Sequence, residues 1–96
     1  MNEHRDASNR LTFDFDKIES GMYSKITNMV VAQFGLEAES TITKGLDEVF
    51  QNFRLHDEII GLEWDNWSGY IVNAQSENAE PLATKVATYI NETFNS

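Results

Sequence analysis

The stretch that decides the fold is residues 59–74, which read IIGLEWDNWSGYIVNA. Apolar side chains occupy every second position on both sides of its middle, a period typical of β-strands with one buried face. These side chains are Ile60, Leu62 and Trp64 on the first side, and Tyr70, Val72 and Ala74 on the second. The intervening residues 65–69 have the composition of a turn apart from Trp67. The stretch therefore predicts an antiparallel β-hairpin with Trp67 in the connection.

The register of this hairpin follows from the residues that must share a face. Residues directly opposite each other in an antiparallel pair lie on the same face, and a slip of one residue moves every side chain to the other face. Two registers keep both apolar stripes together: one pairs Leu62 with Tyr70, and the other pairs Leu62 with Val72. A two-residue turn of Asp65 and Asn66 would separate the stripes and is excluded.

The N-terminal segment carries a weaker strand signal. Leu11–Phe15 alternates in the same way, which predicts either a third strand or an extended lead-in to the next helix. Residues 1–10 show no apolar periodicity. We predict a mobile arm there, followed by a single small domain at residues 11–96.

Three helices are predicted from apolar residues that recur at spacings of three and four. The first follows Asp16, with Asp14 or Asp16 as its N-terminal cap, and ends at Gly35 in a left-handed conformation. Residues 36–43 are predicted to form a loop or a short extended piece. The three apolar stripes are Ile18, Met22, Ile26, Met29, Val30 and Phe34; then Leu46, Val49, Phe50 and Phe53; and finally Leu82, Val86, Ile90 and Phe94.

Together these elements predict an α+β fold. It consists of a long helix, a shorter helix, the hairpin and a C-terminal helix packed on one face of the sheet. Ile59 and Ile71 fall on the opposite face of the hairpin. Because one helix layer covers only one face, we expect a homodimer that uses either the face of Ile59 and Ile71 or an edge of the hairpin.

Composition excludes several classes of protein. The chain has 96 residues, of which 41% are hydrophobic and 24% charged, as in one small globular domain. Because it contains no cysteine, disulfide frameworks, thiol catalysis and cysteine-based metal sites are excluded. A net charge of −9 argues against binding to nucleic acid or to an anionic membrane surface. No apolar run approaches the ~20 residues of a membrane span and no signal segment begins the chain, so we expect a cytoplasmic protein.

The candidate residues for chemistry are His56, Asp57, Glu58, Glu63 and Asp65. A metal-assisted enzyme or a general acid–base pair would use an imidazole and carboxylates of this kind. Their spacing matches no known metal-ligand motif, and Asp57 and Glu58 would point to opposite faces of a strand. We therefore expect no enzyme, no metal site and no cofactor, with a metal-assisted enzyme as an alternative.

Partner binding is the predicted function. A tryptophan in a turn is either folded back over the core or offered to a partner, and tryptophan is enriched at binding hot spots. Residues 36–65 hold eight acidic and two basic side chains, a net charge of −6, which would attract a basic protein. We predict a small non-enzymatic adaptor, immunity- or antitoxin-like in its specific form, with a structural homo-oligomer assembled through the sheet as an alternative. The expected partner-binding residues are Trp67, Asp65, Glu63, Asp57 and Glu58.

Overall fold

A computed structural model describes residues 1–94. Within that range the chain forms two α-helices and a seven-stranded antiparallel sheet, which confirms the α+β class. None of the described helices is long and apolar enough to cross a membrane. The elements are β1 (Asn2–Arg5), β2 (Leu11–Phe15), α1 (Tyr23–Phe34), β3 (Glu37–Ala38), β4 (Thr43–Lys44), β5 (Glu48–Leu55), β6 (Glu58–Asp65), β7 (Gly69–Ala74) and α2 (Glu80–Phe94).

The strands lie in the order β1-β2-β7-β6-β5-β3, and β4 also pairs with β5. β6 and β7 are therefore central, and β7 is buried along its whole length. Leu62 pairs with Val72 and Trp64 pairs with Tyr70, so the second of the two predicted registers is the observed one. Trp67 lies in the turn between the two strands, as predicted.

The core lies on one face of this sheet. Alternate residues of β2, β6 and β7 meet both helices there, and Leu62, Val72 and Ile26 are fully buried. Two buried hydroxyl groups join the layers: Tyr23 Oη donates to the carbonyl oxygen of Leu62 at 2.6 Å, and the hydroxyls of Thr27 and Tyr70 lie 2.7 Å apart. The hydrogen bonds remove the desolvation cost of placing these groups in an apolar layer.

The first helix begins later than predicted. It starts at Tyr23 after a single 3-10 turn at Ser20–Met22. Its N-cap residue is Met22, so neither Asp14, which belongs to β2, nor Asp16 caps the helix. Its C-terminal end is as predicted, because Gly35 adopts φ 67° and ψ 39°. This left-handed conformation ends a helix at little cost only when the residue is glycine.

The second predicted helix is wrong, because its residues form β5. In the extended chain, the apolar residues of the predicted helical stripe no longer share one face. Val49 and Phe53 pack against the core, whereas Leu46 is 104% exposed in the turn before the strand. All eight residues of β5 pair with β6, from Glu48 opposite Asp65 to Leu55 opposite Glu58. The ladder along a central strand outweighs a short helical pattern that has aromatic and β-branched residues.

The N-terminal segment also differs from the predicted mobile arm, because Asn2–Arg5 forms an edge strand paired with β2. Polar contacts attach it: His4 Nε2 lies 2.9 Å from Asp14 Oδ2, and Arg5 Nη2 donates to Glu80 Oε1 at 3.1 Å. Because these contacts are polar, they produce no apolar periodicity from which a strand could be predicted. The third strand at Leu11–Phe15 and the C-terminal helix are as predicted.

Two glycines with left-handed backbones give a matched test of this fold. A Cβ on Gly35 (φ +67°) would meet nothing within 4 Å, whereas a Cβ on Gly69 (φ +73°) would lie 2.1 Å from the carbonyl oxygen of Phe15. We expect Gly35→Ala to cost about 1–2 kcal/mol, from backbone strain alone, and Gly69→Ala to cost ~3–5 kcal/mol. Urea unfolding followed by circular dichroism measures both, and equal losses would contradict the packing of β2 against the β6–β7 turn.

Candidate functional site

The structure distributes the predicted partner-binding residues over three places. Asp57 lies in the β5–β6 turn beside Glu58, and Asp65 lies at the far end of the eight-residue β6. The two ends of this strand are ~23 Å apart at the rise of an extended chain. Glu58 and Glu63 occupy opposite faces of β6, because their positions differ by an odd number of residues. Two separate features therefore remain as candidates: the end of the sheet around Trp67, and the sheet face that carries Glu63.

Trp67 projects from a turn that hydrogen bonds hold in place. Its side chain is 79% exposed. Asp65 Oδ1 accepts hydrogen bonds from the backbone nitrogens of Trp67 at 2.9 Å and Ser68 at 2.6 Å. The backbone nitrogen of Asn66 donates to the carbonyl oxygen of Asp47 at 3.0 Å, which ties this turn to the β4–β5 turn. The indole is thus presented on a fixed backbone.

Exposed apolar side chains collect at this same end of the sheet. Within residues 1–94, the exposed large apolar side chains are Met1, Ile42, Leu46, Phe50 and Trp67. Met1 and Trp67 line one surface hollow. Leu46 lies at the same end of the sheet, next to Asp47, whose carbonyl oxygen accepts a hydrogen bond from the Trp67 turn, but it lines a different hollow with Tyr23 and Trp64. We name Met1, Leu46 and Trp67 the turn-end patch. Exposed apolar residues that share one hollow, as Met1 and Trp67 do, mark an interaction site more often than isolated exposed residues do.

Acidic side chains surround the turn-end patch. Asp14 and Asp16 line the hollow beside Trp67, and Asp47, Glu48 and Asp65 belong to the two turns and the strand ends next to them. At the other end of the sheet, two guanidinium groups are paired with carboxylates. Arg5 binds Glu80, and Arg54 binds Glu37 and Glu39 at 2.9 and 3.2 Å. The turn-end patch is therefore apolar, and the side chains around it are negatively charged.

The second feature is the sheet face turned away from the helices, which we name the open face. It contains a hollow of about 350 Å³. Ile71 forms its floor and is only 8% exposed. The residues opposite Ile71 on the neighbouring strands are Asp14 of β2 and Glu63 of β6. Both carboxylates line the hollow, together with Asp6 and Arg10 of the loop after β1.

Several polar side chains in this hollow are hydrogen-bonded to each other, whereas the half-buried Glu63 has no such partner among residues 1–94. Asn73 Nδ2 donates to Thr12 Oγ1 at 2.7 Å and to Asp6 Oδ2 at 3.2 Å, and Gln75 Nε2 donates to Asn73 Oδ1. Within residues 1–94, no hydrogen bond or ion pair reaches the Glu63 carboxylate. Burial raises the pKa of Glu63, the nearby carboxylates of Asp65, Asp6 and Glu48 raise it further, and Arg10 opposes them.

Two other predictions concern a homodimer through the open face and a metal site. Ile59 and Ile71 belong to the open face, but Ile71 is already covered by its neighbours, so the homodimer through these residues stays a prediction. In the part of the chain that the structure describes, no three His, Asp or Glu side chains lie close enough to hold a metal ion. His56 has a left-handed backbone (φ 58°) in the β5–β6 turn, away from Glu63 and Asp65.

Sequence reasoning missed Leu46, Met1, Asp6 and Arg10 as site residues. The helical spacing places Leu46 on the buried face of a helix, and a single exposed leucine has no sequence pattern that would identify it. Asp6 and Arg10 lie in the polar segment before β2, and only the pairing of β1 with β2 brings them to the open face.

Comparison with protein-family models, with curated proteins and with solved structures found no match for the chain.

The pKa of Glu63 gives a prediction for stability against pH. Because this pKa is raised in the folded state, the folded protein binds the proton more tightly than the unfolded chain does, and the ionised carboxylate lowers stability above the ordinary glutamate pKa of ~4.3. Glu63→Gln is therefore expected to raise the urea midpoint at pH 7. The difference from wild type should disappear as the pH falls below about 4.

Glu58→Gln is the matched control, since it removes a carboxylate from the opposite face of the same strand. A Glu63→Gln protein that is less stable than wild type at pH 7 would show that the Glu63 carboxylate has a stabilising partner.

Proposed function

We propose that this chain is a non-enzymatic protein-binding domain whose turn-end patch binds a basic segment of a partner protein that also carries an apolar side chain. An adaptor, or an immunity- or antitoxin-like protein that masks a basic partner, has this kind of surface. The observation that supports the proposal is the 79% exposure of Trp67 on a turn that Asp65 hydrogen-bonds in place.

The energetics favour binding at Trp67. A tryptophan side chain buries 150–250 Å² in a contact, and each Å² of apolar area removed from water contributes roughly 25 cal/mol. The backbone of the turn is already ordered by Asp65 and by the Asn66–Asp47 hydrogen bond. A partner therefore gains the burial of the indole without the entropic cost of ordering a loop.

The charges around the patch favour a basic partner. Carboxylates at the turn end, among them Asp16 and Asp47, produce a negative potential that attracts a cationic segment and speeds its association. At 0.1 M ionic strength, salt largely screens the interaction between surface charges that are more than about 10 Å apart. Binding through this surface is thus expected to weaken as salt is added, whereas the contribution of Trp67 is retained.

The test is selection of peptides from a displayed random library, followed by titration of the selected peptides against purified variants. We expect peptides that combine Lys or Arg with apolar residues, and we expect Trp67→Ala to weaken their binding at least ~30-fold, the effect of a hot-spot residue. Asp16→Asn and Asp47→Asn should weaken binding at low salt more than at high salt. Asp57→Asn removes the same charge at the other end of the sheet and is expected to leave binding unchanged.

Two results would contradict this function. One is a set of selected peptides that bind Trp67→Ala and wild type equally well. The other is an equal loss in Asp57→Asn and Asp47→Asn, which would mean that net charge rather than the turn-end patch attracts the peptides.

A further inference from the structure

Two hollows of different character flank the pair of turns at the end of the sheet. One of them, which we name the Trp67 hollow, is lined by Asp14, Asp16 and Trp67 among others. The other, which we name the Leu46 hollow, lies between the N-terminal part of α1 and the β4–β5 hairpin. Its lining includes Tyr23, Leu46, Val49 and Trp64. The turn-end patch therefore offers a partner two separate places of contact.

The Leu46 hollow suits one uncharged apolar side chain. Tyr23 Oη and Trp64 Nε1 already donate to backbone carbonyl oxygens at 2.6 and 2.8 Å, so both side chains offer the hollow apolar ring surface. The charged side chains in the lining are Lys44 and Glu48, whose charges oppose each other. The volume is about 210 Å³, below the ~300–1,000 Å³ of small-molecule sites, so a single side chain fits better than a whole small molecule.

The Trp67 hollow favours a cationic side chain instead. The indole of Trp67 is 79% exposed, and the charged side chains in the lining are the carboxylates of Asp14 and Asp16. Asp14 contacts His4, whereas Asp16 takes part in no ion pair within residues 1–94. A lysine or arginine side chain gains both from lying over an exposed aromatic ring and from pairing its charge with a carboxylate.

The backbone between the two hollows is fixed, which sets their separation. The hydrogen bond from Asn66 to the carbonyl oxygen of Asp47 ties the two turns together. Asp14 in the first hollow belongs to β2 and Val49 in the second to β5, with β7 and β6 between them. Three strand spacings separate β2 from β5 by about 14 Å. An extended chain spans this distance in about four residues.

We propose that the turn-end patch binds an extended basic segment at two points: an uncharged apolar side chain enters the Leu46 hollow, and a lysine or arginine about four residues away lies over Trp67 beside Asp16. This inference rests on the proposed function and deepens it, because it assigns each part of the partner segment to one hollow and sets the spacing between the two parts.

The spacing matters because both contacts belong to one chain. Binding at either hollow raises the effective concentration of the other side chain at the second hollow. A segment that lacks one of the two side chains loses this gain, and so does a segment whose two side chains cannot reach both hollows at once. The distance between the apolar and the cationic residue of a partner therefore controls its affinity.

The experiment uses capped peptides of glycine, serine and alanine that carry one arginine and one leucine, either adjacent or with three residues between them. Binding to the full chain is followed by calorimetry and by NMR, from the indole N–H signal of Trp67 and the methyl signals of Leu46. We expect the peptide with three intervening residues to shift both signals and to bind about tenfold more tightly than the peptide with adjacent side chains.

Two variants of the chain test where the leucine binds. Ser24 is exposed and lines the Leu46 hollow, so Ser24→Trp fills this hollow without altering the core. Replacing the peptide's leucine by alanine is expected to weaken binding to wild type about tenfold, and binding to Ser24→Trp by less than about twofold. Gln33→Trp adds the same side chain at an exposed position near the other end of α1 and should behave as wild type does.

Trp67→Ala tests where the arginine binds. Replacing the peptide's arginine by glutamine is expected to weaken binding to wild type about threefold or more, and to change binding to Trp67→Ala much less. An equal loss in both proteins would overturn the placement of the cation over Trp67.

Failure of this inference and failure of the proposed function give different results. Binding that shifts the Trp67 signal but depends neither on the peptide's leucine nor on the spacing would overturn the inference and leave the protein-binding function intact. Equal losses in Ser24→Trp and Gln33→Trp would also overturn it, because added bulk rather than the filled hollow would then weaken binding. Peptides that shift neither signal would overturn it as well, whereas the proposed function fails only if the library yields no peptide whose binding depends on Trp67.

Discussion

Leu62 and Val72 lie directly opposite each other at the centre of the sheet, and both are fully buried beneath the helices. Their pairing sets the register of the two central strands, and strand geometry then assigns every other residue to a face. A slip of one residue would expose this apolar stripe and bury Glu63. The ~1.5–3 kcal/mol gained by burying each large apolar side chain makes that alternative far less stable.

Both candidate sites are consequences of this register. It turns Gly61, Glu63 and Ile71 away from the helices, so the Glu63 carboxylate lies beside the Ile71 side chain on the open face. The same register places Asp65 opposite Gly69, which leaves a short connection where the Asp65 carboxylate holds the turn and the Trp67 side chain points to solvent. The helices stabilise the sheet, and its uncovered face and end are the parts available for binding.

Features encoded by local patterns could be predicted from the sequence, and features encoded by distant pairing could not. The alternation in residues 59–74 predicts the hairpin, and the glycine at position 35 predicts a helix end. Residues 46–53 fit a helix by spacing and become a strand because β6 pairs along their length. The open-face hollow was not predictable, since Asp6 and Arg10 reach it only through the pairing of β1 with β2, which leaves no apolar pattern in the sequence.

The most direct test of the register compares two single variants at adjacent residues, Ile71→Lys and Val72→Lys. The measurement is urea unfolding of each. Val72 is fully buried under the helices, whereas Ile71 lies on the open face between Asp14 and Glu63. An unpaired buried charge costs several kcal/mol against a total stability of ~5–15 kcal/mol, so Val72→Lys is expected to unfold the protein. Ile71→Lys should remain folded, with its ammonium beside two carboxylates. Equal stability of the two variants, or loss of folding in Ile71→Lys alone, would contradict the assignment of the faces.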